Sequence, residues 1–247
     1  MKSLQKTLTL LSGLKLQGIS KNLDEEIISA ERNKTSYINF LTNLLQQETD
    51  YRTDKKLKRN FSAAHFPILK KLENFEFGKV KGISKTETAN ILEFRWLDNH
   101  ENILFFGPPG LGKTHLSIAI GIEAINKGYS VCFERITNLI KILKTAEIQK
   151  SAEYRIKKIK KVDLLIIDEI GYTPIERREA NLLFNLVSEM YEKSSLIITS
   201  NKNVSDWAEM LGDEIMTVAL LDRLLHHAKI FNLDGKSYRL QKKEKEV

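Results

Sequence analysis

The sequence predicts an α/β protein, a P-loop fold on a parallel five-stranded sheet with helices on both faces, preceded by a small all-α domain. Three observations carry that expectation. After His100, short apolar runs alternate with helical patterns, which implies a parallel sheet covered on both sides. The segment Gly107–Thr114, GPPGLGKT, lies between the first such run and the first such helix. From Leu8 to about Leu72 the pattern is only helical: Ile19, Leu23 and Ile27 fall four apart, and Ile38, Leu41 and Leu45 share a face.

In chain order, NILFFG is a strand and KTHLSIAIGIEAINKG a helix closed by Gly128. YSVCFER is the next strand, followed by helical TNLIKILKTA and a basic helix. DLLIID is a third strand. RREANLLFNLVSEMYEK is a helix with Leu182, Leu183, Leu186, Val187 and Met190 on one side. SLIITSN and KIFNLD complete the set. The expected division is a helical domain over 1–72, a linker and lead-in over 73–100 around Gly78 and Gly82, a sheet domain over 101–240, and a frayed tail over 241–247.

Composition agrees with one medium domain and a smaller appendage: 247 residues, 42% hydrophobic and 29% charged. Twelve glycines and four prolines are too few for extended disorder. No apolar run approaches the roughly 18 residues that span a bilayer. The N-terminal leucines are interleaved with polar residues, unlike a secretory signal, so a cytoplasmic protein without a membrane partner is expected. The single cysteine, Cys132, sits in a strand and reads as a buried, inert thiol. Net charge is +7. It concentrates in Lys141–Lys161, with eight basic residues against two glutamates, and again in Arg52–Asn60.

The segment GPPGLGKT fits G-x-x-x-x-G-K-[ST] in full. Triphosphate oxygens need backbone N–H donors at close range, so Gly110 and Gly112 remove side chains and permit unusual backbone angles. The following helix adds its positive end. The expected nucleotide-binding set is Gly107, Pro108, Pro109, Gly110, Leu111, Gly112, Lys113, Thr114 and His115, with ATP as ligand. Lys113 reaches the β- and γ-phosphates, and Thr114 ligates Mg²⁺.

The run Leu164–Ile167 ends in two carboxylates, Asp168 and Glu169. Ligands of parallel sheets sit at the carboxyl ends of strands. Asp168 is therefore expected to hold Mg²⁺ with Thr114, leaving Glu169 to orient or deprotonate water. The polar end of the fourth strand, TSN, is expected to place Thr199 and Asn201 near the γ-phosphate, Asn201 orienting the same water. The bland alternatives are a glycine-rich turn, a solvated acidic turn and an asparagine cap.

FFGPPGLGKTHLSIAIGIEA, DLLIIDEIGYTPIERREANLLFNLVSEMYEKSSLIITSN, SDWAEMLGD and LLDRLLHHAKIFNLDGKSYRL together resemble the IstB-like ATP-binding proteins. These are AAA+ ATPase helpers of insertion-sequence transposition, related to DnaC-like helicase loaders. The resemblance covers roughly residues 7–240. The combination of IGY-x-P, SDW and LLDRL-x-HHA is more specific than the nucleotide motifs, and Leu111 is a minor departure.

The resemblance implies an ATPase that forms homo-oligomers on double-stranded DNA and recruits a transposase. It makes the basic helix, with Arg155, Lys157, Lys158, Lys160 and Lys161, the expected DNA contact, the alternative being a solvated face. Arg223 is the expected arginine finger, acting on a neighbour's γ-phosphate; pairing with Asp222 or Glu214 is the alternative. Arg177 is a further cross-subunit candidate. Phe75 and Phe77 either flank adenine or pack in the core. His226 and His227 are adjacent on a helix and make a poor metal pair. AAA+ proteins usually carry a helical lid after the fifth strand. Here only QKKEKEV follows an expected last strand over 237–240, so a truncated core without a second sensor arginine is expected. The competing functions are a helicase loader and, more remotely, a small-molecule kinase.

Overall fold

The computed structural model describes residues 2–238. The chain divides into two compact units, Met1–Arg59 and Asn60–Val247.

The first unit is helical: α1 (Lys2–Gly13), α2 (Gln17–Asn33) and most of α3 (Tyr37–Ala64). Ile19, Leu23 and Leu44 are buried at its centre, with Leu8, Leu11, Ile27 and Phe40 packed around them. The helical period read in α3 is present, but Ile38, Leu41 and Leu45 are at least half exposed. The position that turns inward is Leu44.

Buried Glu48 on α3 closes the start of α2. Its Oε2 accepts from the Gly18 and Ile19 amides at 2.6 and 3.2 Å, and its Oε1 from Arg52 Nε at 2.7 Å. A helix start needs such acceptors. Burial acts to raise the Glu48 pKa, but the Arg52 and amide hydrogen bonds prevail and hold it below the ordinary carboxylate range. A depressed folded value means stability that is present above the ordinary range and lost as pH falls through it. Glu48→Ala is expected to cost about 0.5–2 kcal/mol at neutral pH, as lost caps do, and to remove this acid-sensitive share of stability. Denaturant unfolding of both proteins at neutral and acid pH checks it; parallel pH dependences would exclude Glu48 as the source.

The second unit holds β1 (Val80–Lys81), α4 (Lys85–Ile91), α5 (Arg95–Asp98), β2 (Asn102–Phe106), α6 (Lys113–Asn126), β3 (Val131–Arg135), α7 (Ile136–Thr145) and α8 (Lys150–Ile159). There follow β4 (Leu164–Ile170), α9 (Arg177–Met190), β5 (Ser195–Ser200), α10 (Trp207–Leu211), α11 (Glu214–Leu225), β6 (Ala228–Asn232) and β7 (Asp234–Gly235). The main sheet runs β3-β4-β5-β2-β6 and is parallel throughout. This is the expected five-stranded architecture.

Alternation along the strands builds both faces. Leu104, Phe106, Leu165, Ile167 and Ile198 join the core formed with α7, α8, α9 and α11. On the other face α6 lies so close that a Cβ at Gly121 would come within 2.8 Å of Ile166 Cδ1. Cys132 is buried, as expected, and burial pushes its thiol pKa up to about 12.

Residues 73–100, read from the sequence as linker and lead-in, carry buried Phe75, Ile83, Phe94, Trp96 and Leu97. They pack as part of the second unit. Val80 and Lys81 pair antiparallel with Gly235 and Asp234. The expected last strand over 237–240 is not formed at Ser237 or Tyr238: the Tyr238 amide donates instead to Gly110 O at 3.0 Å. Residues 239–247, on which the expected strand end and tail fall, lie outside the described residues.

Candidate functional site

Between β2 and α6 the GPPGLGKT loop curls over the carboxyl edge of the sheet. Gly110 and Gly112 adopt φ of 86° and 84°, where a side chain is disfavoured. Space excludes one as well: a Cβ on Gly112 would lie 2.6 Å from the Phe75 ring, and one on Gly110 2.1 Å from Ser237 Oγ. Lys113 opens α6 and is buried. Its Nζ donates to Gly107 O at 2.6 Å and Pro108 O at 2.8 Å, so the ammonium is gathered inside the loop. Leu111 is buried under the loop. His115 Nε2 lies 2.8 Å from Lys71 O, with its ring edge-on to Phe75.

In the sheet order β4-β5-β2, β5 separates Asp168 from the loop strand. Thr199 on β5 bridges the gap. Its hydroxyl donates to Asp168 Oδ1 at 2.6 Å and accepts from the Glu169 amide at 2.9 Å. The Thr114 hydroxyl donates to the same Oδ1 at 2.8 Å. Asp168 has no exposed surface. Burial pushes its pKa up, against the hydrogen bonds from Thr199 and Thr114. A desolvated carboxylate beside hydroxyl oxygens is a hard, anionic donor set, and these residues fit Mg²⁺.

On a regular strand, Asp168 and Glu169 would point to opposite faces. The β4–β5 register breaks between Ile167 and Ile170, and Glu169 sits at φ 66°. Left-handed backbone at a non-glycine residue costs on the order of 1–3 kcal/mol. The irregularity re-aims the second carboxylate, as bulges do. Asp168 stays beneath the loop, and Glu169, half-buried, faces a cavity of about 500 Å³. Lys113, Thr114, Asn201, Phe75 and Tyr238 line the same cavity. Among the described residues, Asn201 Oδ1 is buried there without a hydrogen-bond partner. An unpartnered buried acceptor is costly, and a water or phosphate hydroxyl in the cavity would satisfy it.

The structure thus gathers residues 109–115, Glu169, Thr199 and Asn201 around one cavity, with Gly107 and Pro108 holding Lys113 and Asp168 beneath. Of the two phenylalanines, Phe75 lines the cavity and Phe77 packs edge-on against it at 4.8 Å. One residue was missed. Arg135, the last residue of β3, is registered with Asp168, and its Nε lies 3.6 Å from Glu169 Oε2. Its position at the carboxyl end of a strand was the available signal.

Other expected residues lie elsewhere. Arg223 lines a small hollow with His100 and Asn102, at the opposite end of β2 from the loop. It donates to Ala219 O at 2.9 Å and lies 4.7 Å over the Phe184 ring, and among the described residues neither Asp222 nor Glu214 forms a salt bridge with it. Arg177 pairs with Asp213 at 2.9 Å within the chain.

On α8, Arg155 is one of the expected DNA contacts. Its guanidinium turns inward, 2.5 Å from buried Glu134 and 3.3 Å from Cys132 Sγ. A buried glutamate without its cation would be strongly destabilising, which fixes Arg155 in place. Lys157 pairs with Glu153, and Lys160 with Glu189 at 2.7 Å. Lys158, over the Tyr154 ring, and Lys161 are exposed and form no salt bridge among the described residues.

A glycine-rich phosphate loop, a following lysine and threonine, and a strand-end carboxylate with one strand between define a P-loop nucleotide-binding protein. Comparison with known proteins makes the assignment particular. The IstB-like ATP-binding protein pattern matches residues 9–246, and the chain belongs to that family. A Pseudomonas aeruginosa relative, named for the insertion sequence IS21 and for ATP binding, is 39% identical over 236 residues, covering 96% of this chain and 89% of the relative. Among solved structures, DnaI matches with TM-score 0.57 and 18% identity, covering 67% of this chain and 91% of DnaI. The DnaC helicase loader matches with TM-score 0.51 and 20% identity, covering 72% and 99%. These structural likenesses establish the shared fold. No helix among the described residues is long and apolar enough to cross a membrane.

Proposed function

We propose that this member of the IstB-like ATP-binding family hydrolyses ATP, assembles with copies of itself on duplex DNA and recruits a transposase. The observation that carries the hydrolytic reading is the separation of two neighbouring carboxylates, Asp168 against Thr114 and Glu169 facing the cavity. Lys113 exchanges its loop carbonyls for the β- and γ-phosphates, and the loop amides and the start of α6 receive the remaining phosphate oxygens. Thr114 and Asp168 would hold Mg²⁺, which would neutralise charge on the phosphoryl oxygens. Glu169 accepts a proton from the attacking water, and Asn201 Oδ1 accepts the water's other hydrogen to orient it. Arg223 serves the nucleotide of an adjoining copy.

The insertion-sequence names of the relatives support the transposition reading. Exposed Lys158 on α8 and Lys161 in the turn after it support phosphate-backbone contact. Each phosphate neutralised on duplex DNA contributes about 0.9 to the slope of log affinity against log salt. Lys158→Ala with Lys161→Ala is expected to reduce that slope by about two. Arg155→Ala is expected to lower thermal stability and leave the slope unchanged. A slope unaltered by the double lysine variant would return α8 to a solvated face.

Sedimentation and imaging with duplex DNA, under ATP, ADP and a slowly hydrolysed analogue, test the assembly. Multi-subunit complexes that require the triphosphate are expected; nucleotide-independent monomers would refute it. The fold shared with the DnaC helicase loader favours a second reading, delivery of a replicative helicase to single-stranded DNA. Preference for single-stranded over duplex DNA would favour that alternative.

A further inference from the structure

At the amino edge of the sheet, α9 ends at Met190 and α11 at Leu225, and the two chain exits meet. Glu192, in left-handed backbone at φ 57°, presents its carboxylate to this corner. His226 caps α11 in helical conformation, and the chain then leaves the helix at His227. That exit changes the expectation for neighbouring histidines. Instead of diverging around a helix, their ring centroids lie 4.0 Å apart. One ligand atom from each of Glu192, His226 and His227 falls within 4.8 Å of the others.

We propose that Glu192, His226 and His227 bind a divalent first-row transition metal ion, with Zn²⁺ the foremost candidate. Two imidazoles and a carboxylate form a borderline donor set that suits Zn²⁺ and its neighbours, whereas Mg²⁺ prefers all-oxygen octahedra. The Tyr191 hydroxyl lies 2.7 Å from His226 Nδ1. It fixes that ring and leaves Nε2 to ligate, the role that outer partners play for metal-bound histidines. All three ligands are exposed, so small side-chain rotations can tighten the set and water can complete the coordination. Arg223 lines the same hollow as Glu192 and His227 and opposes a cation, while Glu192 supplies the anionic ligand. The site is separate from the nucleotide cavity and independent of the ATPase reading. Its occupancy would place positive charge beside Arg223.

The test uses the full chain, free of affinity tags and stripped by a chelator, titrated with Zn²⁺ by calorimetry and with Co²⁺ by visible absorption, in excess Mg²⁺. One equivalent is expected to bind, with a Co²⁺ spectrum of low coordination number. His226→Ala, His227→Ala and Glu192→Gln are each expected to weaken binding at least tenfold, and Tyr191→Phe to weaken it less. Thermal unfolding of the metal-free variants verifies that each is folded. His227→Gln, which preserves bulk and polarity, replaces any that is not. Absence of saturable binding by the unsubstituted chain, or binding unchanged when both histidines are replaced, overturns the proposal. His65, His100 and His115 are the remaining histidines, so persistent binding would direct attention to them.

Discussion

Glu169→Gln is expected to reduce ATP turnover by about 10²–10⁴-fold, the usual contribution of a general base, while nucleotide affinity is retained. The expectation follows from the unequal surroundings of the two acids. Asp168 is fully buried and accepts two threonine hydroxyls, so it cannot approach a water without dismantling the loop contact. Glu169 is half-buried beside the cavity, with its amide fixed by Thr199 and its carboxylate near the Arg135 guanidinium. The glutamine variant keeps the volume and the amide bond but cannot take a proton. Nucleotide-bound assemblies on DNA should therefore persist. Phosphate-release kinetics beside equilibrium binding of a fluorescent nucleotide give the readout. Turnover within a few-fold of the parent protein would move the base to another group; loss of nucleotide binding would show that Glu169 supports the loop instead.

The portions of this site legible in the sequence are those written in consecutive residues. GPPGLGKT encodes its own conformation through glycine, and LLIID carries its burial in its side chains. What stayed hidden depends on partners far away in the chain. A run of lysines and arginines records charge but not pairing, so Arg155 looked like its neighbours until Glu134, on the adjacent strand, was seen to hold it. Arg135 reaches Glu169 through the register of β3 with β4, which periodicity cannot give. Phe75 lies over Gly112 only because residues 73–83 return across the sheet domain. In α3 the helical period was plain, yet Ile38, Leu41 and Leu45 face outward, because one helix offers two apolar stripes and only packing selects between them.

Arg223→Ala is expected to retain ATP binding and to lose assembly-stimulated hydrolysis by about 10³-fold or more, the range seen when an arginine finger is absent. Arg223 lies beside Asn102 at the start of β2, whereas the phosphate loop leaves the end of that strand. Five strand residues span about 16 Å at about 3.3 Å each, beyond the reach of an arginine side chain to its own nucleotide. Of its five donors, Nη1 bonds Ala219 O, and the Phe184 ring supports the guanidinium plane. Arg223→Lys keeps the charge but not the planar fork, and should recover little activity. Mixing gives the decisive readout. Glu169→Gln chains retain Arg223, and Arg223→Ala chains retain Glu169, so each should complete the other's site across a subunit contact. In a random equimolar mixture about a quarter of the head-to-tail interfaces would be productive. Recovery of turnover on mixing two inactive proteins is therefore expected only if Arg223 acts between copies. If Arg223→Ala hydrolyses at the parental rate at every protein concentration, or if the mixture stays inactive while both proteins still assemble on DNA, the guanidinium belongs to the packing of α11 on α9 and another residue must stabilise the transferred phosphoryl group.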